Sequence, residues 1–190
     1  RWVIEASMQQ AICDGTPLLI EATSNQVNQE GGYTGMTPSS FRTYVFQIAE
    51  AMQFQKERLI LGGDHLGPNP WRHLPAEKAM QHAATMVADY AAAGFTKLHL
   101  DASMPCLGDP SPLPDATIAH CATLLCAAAE SAANQAGLPA PIYIIGTEVP
   151  PPGGASHALQ VVAVTACEAV EQTLATHQQL FADATLQSAW

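Results

Sequence analysis

Short apolar stretches alternate along the chain with longer segments in which apolar residues recur every three to four positions. Four of these stretches contain branched side chains and are bounded by turn residues, as buried parallel strands are. They begin about 40 residues apart. The pattern therefore predicts strands around residues 18–20, 59–61, 98–100 and 142–145.

A helical pattern opens the chain, and another follows each predicted strand. Thr37 and Pro38 form a helix N-cap with proline at the first helical position. Pro75 opens the next helix, and Asp115 is expected to cap an alanine-rich one. The last helix is predicted over about residues 155–181. The chain thus has the order α-βα-βα-βα-βα.

Alternating strands and helices imply an α/β fold with a parallel sheet and right-handed crossovers. An open doubly wound sheet and a TIM (β/α)8 barrel both fit this order. Regular spacing and polar residues after each strand favour the barrel, which needs about 250 residues. We therefore expect residues 1–190 to be one partial TIM-barrel domain, about half a barrel, with the first strand and the last strands outside the chain.

Composition narrows the class of protein. The net charge is −10 with seven Lys and Arg, so the sequence lacks the basic footprint of a nucleic-acid or anionic-membrane binder. Five scattered cysteines without a CxxC pair predict reduced, mostly buried thiols. We expect no apolar run to approach the ~20 residues that span a bilayer, and the sequence shows no signal-peptide pattern. We expect a cytoplasmic protein with no nucleic-acid or membrane partner.

The first predicted strand ends in a long polar loop that begins at Glu21 and contains Ser24, Asn25, Gln26 and three glycines. Such loops are more often functional than decorative, although a solvated surface loop is the alternative. These four polar residues are candidates for substrate binding.

The second strand ends in Asp64 and His65, flanked by glycines. A carboxylate beside an imidazole suits metal-assisted proton transfer, because imidazole binds metals and the carboxylate can move a proton. The alternative is a structural Asp-His pair that closes a turn.

The third strand carries His99, Asp101 and Ser103 on one face, since strand side chains alternate. We interpret the mid-strand His99 as a hydrogen-bonded core histidine and favour a functional role for Asp101. The remaining histidines are predicted to be surface residues: His73, His82, His120, His157 and His177.

The fourth strand is followed by Glu148 and by the pair Gly153 and Gly154. Glu148 would bind metal, transfer a proton or cap the next helix. The two glycines resemble an anion-holding turn. The sequence contains no GxxxxGK[ST], GxGxxG or GxSxG motif, so P-loop, Rossmann and α/β-hydrolase sites have no support.

Several ordered blocks resemble one family. Residues 19–29, 31–38, 60–69, 97–104 and 145–150 are similar to the non-catalytic subunit of D-tagatose-1,6-bisphosphate aldolase, the GatZ/KbaZ family. The helices and the last 30 residues resemble it less. The resemblance implies a TIM barrel that works in galactitol or N-acetylgalactosamine breakdown.

The resemblance implies that the protein supports a catalytic class II aldolase subunit, which cleaves tagatose 1,6-bisphosphate. It also implies that the accessory protein is not an active aldolase when alone. Some members carry a tagatose-6-phosphate kinase label. Related barrels are metal-dependent sugar epimerases, so a ketose-phosphate epimerase or aldolase acting in its own right is the alternative.

The resemblance to the class II aldolase superfamily implies proton transfer by Asp64 and metal binding by His65, with Glu148 as a later acidic residue. The superfamily's other metal histidines and its phosphate loop would fall after Trp190, so residues 1–190 alone should be inactive. Zinc is the expected metal of the full-length protein, and a sugar phosphate is the expected ligand. The candidate site residues are Asp64, Asp101 and Glu148 for catalysis; Glu21, Ser24, Asn25, Gln26, Ser103, Gly153 and Gly154 for substrate; and His65 for metal.

Overall fold

A computed structural model describes residues 1–146 and 166–190 as alternating helices and strands. The predicted order of helices and strands is confirmed over these residues. The last helix is predicted to begin near residue 155, and the part of it before residue 166 lies outside the described residues. The helices are α1 (Trp2–Asp14), α2 (Pro38–Ala51), α3 (Ala76–Ala92), α4 (Asp115–Gln135) and α5 (Cys167–Asp183), and the strands are β1 (Leu18–Thr23), β2 (Leu59–Leu66), β3 (Lys97–Asp101) and β4 (Ile142–Gly146).

The four strands form one parallel sheet whose spatial order, β1-β2-β3-β4, is also their order in the chain. A doubly wound sheet reverses its strand order at a switch point, whereas barrel strands follow one another around the axis. The α/β prediction is confirmed, and the sheet is consistent with half of a TIM barrel.

The two faces of the sheet differ in exposure. Side chains on one face are buried beneath the helices; Leu98 and Leu100 are fully buried there. The opposite face, called here the open face, carries apolar side chains that stay exposed: Leu19 at 42%, Ile60 at 40%, Ile144 at 42% and Ile142 at 71%. Within the described residues, helices therefore cover only one face of the sheet, as they do on the outside of a barrel.

Helix starts follow the predicted signals in one case and depart from them in another. The Thr37 hydroxyl accepts a hydrogen bond from the Ser40 N–H, with Pro38 in the first turn, as predicted. At α4 the cap position is Pro114, and Asp115 makes no capping hydrogen bond, so that prediction is wrong. Asp115 lies in the first helical turn instead, where its charge is favourable to the helix dipole.

Helix α4 corrects the expectation that no segment is apolar enough to span a bilayer. Over the described residues, α4 is the one helix that meets that test by length and composition. It packs against α3, β3 and α5 and buries Ile118, Leu125 and Cys126 among others. A core helix can pass the same test.

All five cysteines are free, as expected. The expected burial holds for Cys106 and Cys126, whereas Cys13 and Cys167 are exposed. His177, predicted on the surface, is fully buried in α5, so that prediction is wrong. Its Nδ1 lies 2.9 Å from the Thr173 carbonyl oxygen.

Candidate functional site

Five polar side chains meet on the open face of β1, β2 and β3. The pairing aligns Glu21 with Gly62 and Gly62 with Lys97 on adjacent strands. The group is called here the acid–imidazole cluster and consists of Glu21, Asp64, His65, Lys97 and His99. Its contacts join residues 76 positions apart in the chain. Parallel strands therefore bring together the polar ends that the sequence placed separately.

An irregularity in β2 turns two neighbouring side chains toward each other. The register with β3 shifts between Gly63 and Leu66, and His65 has a φ of 49°. In a regular strand Asp64 and His65 would point to opposite faces. Here His65 Nδ1 lies 3.0 Å from Asp64 Oδ2. Bulges are a known means of re-aiming side chains beside active sites.

His99 completes the imidazole part of the cluster from β3. Its Nδ1 lies 3.0 Å from Asp64 Oδ1, and its ring centroid is 4.8 Å from that of His65. The His99 side chain is 16% exposed. His99 is hydrogen-bonded as expected, but it belongs to the candidate site rather than to the buried core. Sequence reasoning missed this, although strand alternation had already placed His99 on the face of Asp101.

Lys97 is the second residue that sequence reasoning left out of the site. Its Nζ lies 2.5 Å from Glu21 Oε1 and 3.8 Å from Asp64 Oδ1. Gly62 makes room for this pair, because a Cβ there would lie 2.7 Å from Glu21 Oε1. Strand alternation from His99 was the available signal for Lys97.

The surroundings of Asp64 favour its ionised form. Burial raises the pKa of Asp64, but the hydrogen bond from His99 and the charge and hydrogen bond of His65 outweigh burial. The net pKa is below the ordinary value of an aspartate. An ionised carboxylate is the form that binds a cation or accepts a proton.

Asp64, His65 and His99 are suited to hold a metal ion. Each offers one ligand atom, and the three atoms lie within 4.8 Å of one another. A carboxylate with two imidazoles is a donor set that zinc and other first-row divalent ions use. The His99 imidazole is the one ligand of these three that the sequence does not predict as a site residue.

The loop after β1 uses some of its predicted binding residues to hold its own backbone. Gln26 Oε1 accepts a hydrogen bond from the Thr23 N–H at 2.8 Å. Buried Asn28 accepts hydrogen bonds from the loop backbone at positions 30 and 32. Asn25 is exposed, whereas Ser24 is buried and its hydroxyl has no hydrogen-bond partner among residues 1–146 and 166–190. Substrate binding by these residues stays a prediction.

Asp101 lies at the end of β3 in a turn of its own. It is 5% exposed, and its Oδ1 accepts hydrogen bonds from the Ser103 N–H at 3.0 Å and from the Ser103 hydroxyl at 2.6 Å. Within residues 1–146 and 166–190, no hydrogen bond or ion pair joins Asp101 to the cluster. Glu148, Gly153 and Gly154 lie outside the described residues. The roles of these five residues stay predictions.

A second contact group fixes the β1 loop against the β2 loop. The Trp71 indole N–H donates to Glu30 Oε1 at 3.0 Å, and His82 Nδ1 lies 3.2 Å from the same oxygen. The Trp71 and His82 rings stack with centroids 5.1 Å apart. His82 is thus half-buried against Trp71 rather than a free surface residue.

Fold and cluster together define an α/β protein with a polar, metal-capable site on the open face of a parallel sheet. The chain belongs to the GatZ/KbaZ-like family, because the family model described as "D-tagatose-1,6-bisphosphate aldolase subunit GatZ/KbaZ-like" matches residues 1–190. The predicted family is confirmed.

Individual relatives carry different names. The chain is 54% identical over 188 residues to a D-tagatose 6-phosphate 4-epimerase of Agrobacterium fabrum, covering 99% of the chain and 44% of that protein. It is 53% identical over 179 residues to the D-tagatose-1,6-bisphosphate aldolase subunit GatZ of Escherichia coli K12, covering 94% and 43%. A crystal structure of a probable tagatose 6 phosphate kinase from Sinorhizobium meliloti 1021 matches with a TM-score of 0.85 and 51% identity, over 98% of this chain and 43% of that one.

The chain spans less than half the length of these relatives. All three names refer to tagatose 6-phosphate or tagatose 1,6-bisphosphate, and they differ in the activity assigned.

Proposed function

We propose that the protein is the non-catalytic accessory subunit of a class II D-tagatose-1,6-bisphosphate aldolase. It would support the activity and stability of a catalytic subunit in the cytoplasmic breakdown of tagatose 6-phosphate, galactitol or N-acetylgalactosamine. The observation that carries this proposal is the 53% identity to GatZ over 94% of the chain. Membership in the family over the whole chain supports it.

The cluster has a place in this proposal as a ligand site. Asp64, His65 and His99 would hold a divalent ion, with zinc the metal we propose from the donor set. Such an ion would supply a positive charge that binds oxygen atoms of a sugar phosphate. Around it, the chain's own residues orient the ligand: the ionised Asp64 carboxylate and the Lys97 ammonium lie side by side on the open face.

An activity assay with two arms tests the accessory role. The full-length protein is incubated with tagatose 1,6-bisphosphate and zinc, alone and with a class II catalytic aldolase subunit. We expect no cleavage by the protein alone, and faster cleavage and a longer half-life of activity when both subunits are present. Robust cleavage without the catalytic subunit would exclude the accessory role, and loss of that cleavage in Asp64→Asn would establish an aldolase.

A second candidate is a metal-dependent epimerase of a ketose phosphate. The A. fabrum relative bears an epimerase name at 54% identity. The cluster supports the same idea, because it combines an ionised carboxylate with two imidazoles. In this function Asp64 would accept the proton of the C4 hydroxyl as the C3–C4 bond breaks to give an aldehyde and an enediolate, and would return it when the bond re-forms on the other face of the aldehyde. The S. meliloti relative bears a kinase name; the absence of a P-loop motif from residues 1–190 argues against a P-loop mechanism but not against every kinase mechanism.

Tagatose 6-phosphate separates the two candidates. The full-length protein is incubated with this sugar and zinc, and NMR follows the appearance of its C4 epimer. The epimerase predicts conversion by wild type and by Asp89→Asn, a control on α3, and none by Asp64→Asn. The accessory role predicts no conversion by any of the three.

A further inference from the structure

Lys97 places a positive charge beside the candidate metal ligands. Its Nζ is 3.8 Å from Asp64 Oδ1, a distance at which opposite charges attract but no hydrogen bond forms. The same Nζ lies 2.5 Å from Glu21 Oε1. The lysine side chain is 22% exposed, so solvent screens it less than a surface lysine. Glu21 therefore holds the ammonium group on its own side of Asp64.

A divalent ion bound by Asp64 would feel this ammonium strongly. A metal–oxygen bond of about 2 Å to Asp64 Oδ1 would put the ion no more than about 6 Å from Lys97 Nζ. Like charges repel at that distance, and the repulsion grows as the site is desolvated. Glu21 offsets part of it, because its carboxylate contacts the same ammonium. The lysine and the ion thus compete for the charge of Asp64.

We propose that Lys97 is a positioning residue that sets the affinity of the Asp64–His65–His99 site for a divalent cation, with Glu21 restraining the lysine. The inference rests on the metal site of the proposed function. It assigns Glu21 and Lys97 opposite effects on one equilibrium. With Glu21 present, the ammonium is held back and the cation can bind Asp64. Without Glu21, the ammonium turns to Asp64 and excludes the cation.

Calorimetric titration of the metal-free full-length protein with zinc tests the proposal. Lys97→Met should bind zinc about tenfold more tightly than wild type, since a repulsive charge is gone. Glu21→Gln should bind it about tenfold more weakly, because Lys97 then pairs with Asp64. The double variant should return to within about threefold of wild type. Matched controls on exposed α3 positions, Lys78→Met and Glu77→Gln, should leave the affinity unchanged.

The sign of each change separates this role from a structural one. A lysine that merely stabilises the sheet predicts weaker zinc binding in Lys97→Met, and that result would overturn the proposal. Circular dichroism shows whether each variant folds. If Lys97→Met does not fold, unchanged or tighter zinc binding by Glu21→Gln would likewise overturn the proposal. Zinc binding by wild type with no change in Lys97→Met refutes the role of Lys97 alone. Absence of zinc binding in wild type and in Lys97→Met refutes the metal site as well.

Discussion

A Cβ atom on Gly146 would lie 2.7 Å from Nε2 of His99, so the last residue of β4 leaves the space that the imidazole of β3 occupies. Gly62 does the same for the Glu21 carboxylate one strand away. Two strands thus leave out side chains where their neighbours need room. The acid–imidazole cluster depends on these absences as much as on its charged groups.

Gly146→Ala should weaken zinc binding by the full-length protein with little loss of fold. The added methyl group displaces the far end of the His99 ring, which is cheaper than moving backbone. His99 Nδ1 then leaves Asp64 and the metal loses one donor. Calorimetry should show a loss of affinity that approaches that of His99→Ala, with a thermal melting curve close to wild type. Zinc affinity equal to wild type in Gly146→Ala would show that His99 is not a ligand.

Arg58→Met should destabilise the protein at the end of α1. The Arg58 guanidinium donates to the carbonyl oxygen of Ala11 in the last turn of α1, at 2.7 Å, and to that of Thr16 just after the helix. Losing hydrogen bonds from a charged donor at a partly exposed position should cost about 1–2 kcal/mol. Urea unfolding measures this cost.

Lys56→Met is the matched control for Arg58. Lys56 contacts Glu50 at 3.9 Å with both side chains well exposed, so its loss should change the free energy of unfolding little. Equal effects of the two substitutions would show that the carbonyl contacts of Arg58 do not stabilise α1.

His177 should make the protein less stable as pH falls below about 6.5. Burial lowers the pKa of His177, although the Thr173 carbonyl oxygen and Asp115 act in the other direction. Its Nε2 is buried and has no hydrogen-bond partner in the part of the chain that the structure describes. The unfolded chain therefore binds a proton that the folded chain does not, and stability decreases as pH drops through and below the ordinary histidine value of 6.5.

His177→Leu should reduce this acid sensitivity. Melting temperatures measured from pH 7.5 to pH 5 should fall less steeply for His177→Leu than for wild type. His120→Leu, an exposed position on α4, should keep the wild-type slope. Identical slopes for wild type and His177→Leu would contradict the assignment.

Residues 1–190 expressed alone should dimerise or aggregate. Their open face exposes Leu19, Ile60, Ile142 and Ile144, and β1 and β4 form the two edges of the described sheet. Gel filtration should show dimers or larger species. A monomer that melts in one cooperative transition would show that the open face needs no cover.

The sequence predicted the sheet well, because buried parallel strands have a simple pattern. Each apolar stretch lies in the strand expected from it, and helices lie between the strands, although the cap predicted at Asp115 is absent. The carboxyl-end positions of Glu21 and Asp64 followed from that order. The family resemblance was carried by the same segments and is confirmed over all 190 residues.

The site residues that the sequence did not predict depend on how neighbouring strands pack rather than on residue type. A mid-strand histidine is more often a core residue, and nothing in the local sequence of His99 shows that Gly146 leaves room beside it. The turn of His65 toward Asp64 comes from a register shift between two strands, which one strand's sequence does not encode. The sequence around Lys97 gives no sign of its role, because its partner Glu21 is 76 residues away. The burial of His177 departs from the sequence prediction because polar residues on helices are usually exposed.

Anomalous diffraction at the zinc absorption edge, from crystals of the full-length protein grown with zinc, tests the site most directly. The account predicts an anomalous peak within bonding distance of the side chains of Asp64, His65 and His99. A zinc ion bound elsewhere, with these three side chains directed away from one another, would contradict it.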